Sequence, residues 1–178
     1  MTYPNGDPQA AGAAAQTWSH LLEQARQAAR RAYAPYSDYA VGAAAVASSG
    51  GSSRLVVGCN VENASYGLTL CAECSLISAL HLSGGGRLTR FVCVAMAWPG
   101  QVGEPHQLVG PVEPSAEPAS GGPEVPPDVV MPCGRCRQLL CEHGGPDLII
   151  LTPLGERRLA DLLPQAFGAD DLKALERP

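Results

Sequence analysis

Two short cysteine motifs, Cys71-Ala72-Glu73-Cys74 and Pro132-Cys133-Gly134-Arg135-Cys136, constrain this chain more than any other feature of it. They lie 58 residues apart, and each stands where the pattern of apolar residues predicts a helix to begin. A helix start offers unpaired N–H groups and the positive end of the helix dipole, both of which favour a thiolate over a thiol. Thiolates are what zinc binds. Cys133 and Cys136 are three residues apart, so on a helix they leave the same face. If one ion draws sulfurs from both motifs, two helix starts distant in sequence have to meet in space.

The remaining sequence predicts elements that could hold such a meeting. Trp18, Leu21, Leu22, Ala25, Ala28, Ala29 and Ala32 have helical spacing and form one apolar face, and Pro35 stops that helix. Tyr39 to Ala47 reads as a strand, 48–52 as a Ser/Gly turn, and Leu55 to Cys59 as its hairpin partner. Residues 60–70 form a polar loop, and a helix from about Cys71 to Leu82 ends at Gly84-Gly85-Gly86. Phe91 to Ala97 and Leu148 to Leu151 suit buried strands. Pro132 is expected to open a third helix running to about His143. A short strand near Arg157 and a terminal helix from about Leu159 close the order. Strands alternating with helices predict a layered α/β domain with a mixed sheet of about five strands.

Two segments stand apart. Residues 1–16 read as a flexible tail before one domain spanning 17–178. Residues 98–130 hold eight prolines and five glycines in 33 positions and read as a surface insertion without secondary structure.

Composition excludes several function classes. A net charge of −5 with no long basic run disfavours tight binding to a nucleic-acid backbone. No stretch of about 18 apolar residues predicts a membrane span. The start MTYPNGDPQAAGAAAQ lacks a basic n-region and is a poor signal peptide. Seven cysteines, an odd number, argue against a closed disulfide framework, so a cytoplasmic setting with reduced thiols is expected.

Three readings of the cysteines compete: ordinary packing, a structural zinc site using Cys71, Cys74, Cys133 and Cys136, and a catalytic site of three cysteines with an open fourth position. The 58-residue interval is much longer than the roughly 15–20 residues of zinc ribbons. Glu73 favours the catalytic reading, because water activated by a metal needs a neighbouring group to take and return protons. A glutamate alone at a helix start would be no more than a favourable dipole contact. On a regular helix, positions 71 and 73 would point about 200° apart, but first-turn side chains lean back toward the N-terminus and can overhang one ion. A redox Cys-x-x-Cys reading is weaker than metal binding.

Cys-x-Glu followed by Pro-Cys-x-x-Cys is similar to the signature of the zinc nucleoside and nucleobase deaminases. The segments YAPYSDYAVGAA (33–44), GCNVENASYGLTLCAE (58–73), PCGRCRQLL (132–140) and LLPQAFGADDL (162–172) resemble the small homotetrameric cytidine deaminases. The resemblance implies a three-layer fold, one Zn²⁺ per subunit held by Cys71, Cys133 and Cys136, and Glu73 as proton shuttle. It implies that zinc-bound hydroxide attacks C4 of cytidine or deoxycytidine, giving uridine or deoxyuridine and ammonia. It implies further that the Ala72 N–H holds the C2 carbonyl and that Asn60 and Glu62 bind the sugar 3′-hydroxyl. Tyr39 would pack on the pyrimidine, and Phe167 would reach a neighbouring subunit's pocket. The sugar loop, 58–73, carries no basic residue, which favours a nucleoside over a nucleotide. One departure stands out: these enzymes usually have arginine directly after the glutamate, and here the residue is Cys74, expected to lie beside the site without ligating.

Overall fold

The computed structural model describes residues 17–98 and 125–173. The expected tail over 1–16 and most of the expected insertion, 99–124, lie outside the described residues.

Thr17 caps the first helix, α1 (Trp18–Ala29), its Oγ1 accepting from the His20 N–H at 3.3 Å. The helix ends three residues earlier than its apolar pattern implies. Beyond it the chain turns so that Tyr33 pairs with Val61, and Ala32 and Ala34 are buried without being helical. Two long strands follow as a hairpin, β1 (Tyr39–Ser49) and β2 (Ser52–Cys59). A loop with one 3₁₀ turn at Tyr66–Leu68 leads to α2 (Ala72–Leu82), and then to β3 (Arg87–Ala97). The rest is β4 (Val129–Val130), α3 (Gly134–Gly144), the hairpin β5 (Ile149–Thr152) and β6 (Gly155–Arg158), and two short helices, α4 (Leu159–Leu162) and α5 (Ala169–Lys173).

The sheet runs β2-β1-β3-β5-β6, with β4 pairing separately to β3. The β3–β5 pair is parallel and the other pairs antiparallel, so the sheet is mixed, as expected. It has six strands. The sixth is Val129–Val130, inside the segment to which the sequence assigned no secondary structure. These two β-branched residues pair with Val94 and Cys93. The same segment is anchored at both ends: Trp98 Nε1 donates to the Ala32 carbonyl at 2.9 Å, and Asp128 takes a two-pronged ion pair from Arg26 at 2.7 and 2.9 Å.

Three layers result. On one face α1 packs Leu21, Leu22, Ala25 and Ala29 against Ala44, Val46, Val92 and Val94. On the other, α2 and α3 pack Leu76, Ile77, Leu80 and Leu140 against Ala43, Ala45, Phe91 and Cys93. Each fully buried leucine contributes about 1.5–3 kcal/mol relative to an exposed one. The alanines of β1 keep the sheet thin, and two glycines let the helices touch it. A Cβ on Gly42 would collide with the α1 backbone at Ala25 and Ala29, and one on Gly58 with the α2 backbone at Ala72 and Leu76. Gly58 thus sets how close the start of α2 lies to the sheet.

Among the described residues, no helix is long and apolar enough to cross a membrane.

Candidate active site and metal centre

The starts of α2 and α3 converge. The Sγ atoms of Cys71, Cys133 and Cys136 lie within 4.8 Å of one another, and they form the one such metal-capable group among the described residues. Cys74 does not join it. Its Sγ instead accepts from Arg135 Nη2 at 3.7 Å. The four-cysteine structural site is therefore not the arrangement this fold makes.

Cys71 is the N-cap of α2 and Cys133 the N-cap of α3, both with extended backbone (φ −67°, ψ 156° and φ −64°, ψ 167°). Neither side chain makes a regular cap hydrogen bond, which leaves both sulfurs for another partner. Cap position also removes the angular difficulty raised by the spacing of 71 and 73. Cys71 is not yet helical, so its Sγ is not bound to the 100°-per-residue rotation that would carry it away from Glu73. Pro132 precedes the cap of α3 and does not occupy its first turn, which begins at Gly134 after the extended Cys133.

Glu73 is 4% exposed in the first turn of α2. Its charge bears on Cys71, Cys133, Cys136 and Cys93, and it accepts from the Cys136 thiol. Cys93, which the sequence reading did not single out, is buried on β3 behind the cluster and donates to the Val130 carbonyl at 3.0 Å. The central place of β3 in the sheet, under α2 and α3, brings it there.

A helix start is expected to favour thiolates, yet two of the three sulfurs are shifted the other way. Burial pushes the Cys136 thiol far up, followed by the negative charge of Glu73 and a hydrogen bond with Cys133. Burial likewise raises Cys71, against a hydrogen bond with Cys136. Cys133 alone is lowered: burial opposes, but the Cys136 backbone N–H and the Cys136 and Cys71 thiols outweigh it. Three sulfurs and a carboxylate packed together repel one another as anions, and a dication among them reverses that balance. The spacing suits one: tetrahedral zinc, with Zn–S of about 2.3 Å, places sulfurs about 3.8 Å apart. The donor set fits zinc.

The family described as the cytidine and deoxycytidylate deaminase zinc-binding region matches residues 15–152. The chain belongs to the cytidine and deoxycytidylate deaminase family. Cytidine deaminase of Mycobacterium tuberculosis is 50% identical over 155 residues, which cover 87% of this chain and 92% of that protein. The crystal structure of cytidine deaminase from Mycobacterium tuberculosis superposes with a TM-score of 0.64 at 49% identity, covering 85% of this chain and 97% of that one. The Mycobacterium leprae cytidine deaminase structure gives 0.62 at 45%, covering 84% and 98%. Zn²⁺ is accordingly the cofactor of this deaminase-family chain, and Cys71, Cys133 and Cys136 are the group that could hold it.

The loop between β2 and α2 is held from three sides. Tyr33 donates its N–H to the Asn60 carbonyl at 3.1 Å and accepts from the Glu62 N–H at 2.8 Å, and Val61 pairs with Leu70. Asn60, 8% exposed, turns its amide toward β1: Oδ1 accepts from the Val41 N–H at 2.7 Å and Nδ2 donates to the Tyr39 carbonyl at 3.0 Å. Glu62 turns elsewhere. It accepts from Ser37 Oγ at 2.5 Å and from the backbone N–H groups of Tyr36 and Ser37 at 2.9 and 3.3 Å. Burial pushes this carboxyl up, but the Ser37 hydroxyl and then the two N–H groups outweigh it and hold it below the usual glutamate value. Glu62, Tyr36, Ser37, Tyr66 and Thr69 line a cleft of about 370 Å³, a size suited to a small molecule. Thr69 stands two residues before Cys71, so the cleft wall runs directly into the cluster in sequence. Ser37 and Tyr66 had no signal of their own in the sequence, beyond lying in the quoted segments.

Tyr39, half-buried at the start of β1, lies on the α2/α3 face, and burial and then Cys93 raise its phenol. Ala72 is fully buried as the first helical residue of α2, where N–H groups have no intrahelical partner. Phe167 is 60% exposed between α4 and α5; Gln138 of α3 donates to its carbonyl at 2.7 Å, and among the described residues the ring belongs to neither core cluster. It lies beyond the stretch that matches the family.

Proposed function

We propose that this chain catalyses hydrolytic deamination of cytidine and deoxycytidine to uridine and deoxyuridine with release of ammonia, as a step of pyrimidine salvage. The observation that carries the reading is a buried carboxylate, Glu73, among three thiols that two helix starts bring within 4.8 Å. The mycobacterial relatives, which are cytidine deaminases, support the substrate.

Zn²⁺ held by Cys71, Cys133 and Cys136, one per subunit, would supply a Lewis acid that brings the pKa of water to about 7. Glu73 takes one proton from the attacking water and delivers it to ring N3, then takes the second proton of that water, left on the C4 hydroxyl, and delivers it to the departing amine, so that two protons are taken and two returned. Its burial supports this role, since proton transfer in a dry site is not short-circuited by bulk water. The Ala72 N–H, at the open end of α2, donates to the C2 carbonyl of the base. The ring of Tyr39 packs on the pyrimidine. Glu62 accepts from the sugar 3′-hydroxyl in the cleft it lines. Asn60 assists with the N–H and lone pair that its bonds to β1 leave over. The exposed ring of Phe167 enters the pocket of a neighbouring subunit in a homotetramer of single-domain chains in the cytoplasm.

Purified protein carrying one zinc per chain is expected to convert cytidine to uridine, read as falling absorbance at the cytosine band with one ammonia released per turnover. No conversion by zinc-loaded protein refutes the reading. A gel-filtration mass of one chain refutes the role of Phe167.

A further inference from the structure

The metal cluster carries more negative charge than its ion. Three thiolates and a dication leave one net negative charge, and an ionised Glu73 makes it two, in a site where Cys136 and Glu73 are almost fully buried. A net negative charge in a partly dry site is stabilised by a fixed positive charge beside it. Two basic residues stand on α3 at its start. Arg137 is committed to the scaffold, donating to the carbonyls of Pro132 at 3.0 Å and Leu162 at 3.2 Å. Arg135 is not so committed. From the position between Cys133 and Cys136 it reaches across to the other helix, where Nη2 donates to Cys74 Sγ at 3.7 Å.

We propose that Arg135 is the electrostatic counter-charge of the metal cluster, and that Cys74 is its docking point. Resting on the zinc reading above, the inference adds which residue balances the site. The geometry explains both identities. Residue 74 directly follows Glu73 and residue 135 lies between Cys133 and Cys136, so an exposed guanidinium docked on Cys74 stands at the solvent side of the joint between the two helix starts. Arginine suits this because it stays charged whatever its surroundings and spreads that charge over a plane of donors. Sulfur at position 74 gives the guanidinium a soft acceptor without adding a carboxylate to a site already negative. The two helix starts face each other here, so a cation placed at position 74 would serve the same point as one at 135. Arg135 is a positioning residue: it acts through the field on the three thiolates and on Glu73, and not on substrate.

The test measures zinc affinity by competition with a colorimetric chelator, on folded protein, for wild type, Arg135→Ala, Arg135→Lys and the double variant Arg135→Ala with Cys74→Arg. At low ionic strength Arg135→Ala is expected to raise the zinc Kd roughly three- to tenfold, the range for one unit charge near a surface site. The difference shrinks toward none at 1 M salt, where the Debye length is about 3 Å. Arg135→Lys keeps most of the affinity, and Cys74→Arg restores it in the double variant. A zinc Kd in Arg135→Ala equal to wild type at low salt overturns the inference. So does a loss that persists at 1 M salt, which would mark a packing effect, or a double variant no tighter than Arg135→Ala. Wild-type protein that takes up no zinc would overturn the metal reading along with it, whereas normal zinc binding with an indifferent Arg135 sinks the counter-charge alone.

Discussion

Asn60 gives the most quantitative consequence of the structure. Its side chain bridges the loop before α2 to the first residues of β1, and Asn60→Ala removes that bridge. The Val41 N–H loses its acceptor at 2.7 Å and the Tyr39 carbonyl its donor at 3.0 Å. At 8% exposure, little water reaches the gap. A buried polar group left unpaired costs about 1–3 kcal/mol, and two such groups, partly relieved by relaxation, cost about 3 kcal/mol together. For a chain of this size each kcal/mol moves the midpoint by about 2–4 °C, so the melting temperature should fall by roughly 6–12 °C. Thermal unfolding of zinc-loaded wild type and variant, followed by circular dichroism, reads this directly. Asn60→Asp sharpens it. The acceptor for Val41 survives, but an anionic oxygen now faces the Tyr39 carbonyl, so this variant should be destabilised at pH 7 and recover in part near pH 4, as the aspartate protonates. A melting temperature for Asn60→Ala within about 2 °C of wild type would refute the reasoning, because it would mean that the bonds to β1 support nothing.

Three further outcomes are expected. Glu73→Gln should keep its zinc and lose about 10²–10⁴ in turnover, the range for general acid–base catalysis; zinc analysis and the cytidine assay on one sample check it, and undiminished turnover removes Glu73 from the reaction. Gly58→Ala forces a Cβ into the α2 backbone at Ala72 and Leu76, so it should cost at least about 1–3 kcal/mol and weaken zinc retention together, while a variant that melts like wild type would show that α2 can retreat freely. Glu62→Gln should be destabilised most at neutral pH. The folded state holds the Glu62 carboxyl below its ordinary value of 4.5, so its contribution is present above that pH and fades as pH falls through the lower folded value. A deficit that widens on acidification, in melting temperatures measured from pH 7 to 3, would contradict the hydrogen bonds assigned to Ser37 and Tyr36.

What could be read before folding was whatever is local in the chain. Helix starts at the two cysteine motifs, the α1 face and the first hairpin follow from spacing over a few residues, and the ligand set rests on those starts. Three features were not legible, each for the same reason. Val129–Val130 becomes a strand because β3 offers it an edge, which no property of a two-residue segment in a Pro/Gly-rich stretch reveals. Cys93 joins the surroundings of Glu73 because β3 runs behind both helix starts. The shortened α1 gives up its last apolar turn so that Tyr33 can pair with Val61.

The sugar loop shows how far the difference reaches. An amide and a carboxylate two residues apart in an extended segment share a side, and that arrangement assigns both to one hydroxyl. In the fold the intervening Val61 is pinned on both flanks, by Tyr33 and by Leu70, and the two side chains part. Asn60 is spent largely on β1, and Glu62 is held by the turn at 36–37 at the mouth of the cleft. Position 60 therefore fixes where Tyr39 begins the strand, and position 62 fixes what the cleft presents. This division makes a separable claim about kinetics. Loss of Glu62 should act on KM for a nucleoside that carries the 3′-hydroxyl and leave 3′-deoxycytidine nearly unaffected. Loss of Asn60 should act on both substrates, since it displaces Tyr39, the residue proposed above to pack on the pyrimidine. Equal penalties for Glu62→Gln on cytidine and 3′-deoxycytidine would return Glu62 to a purely structural role.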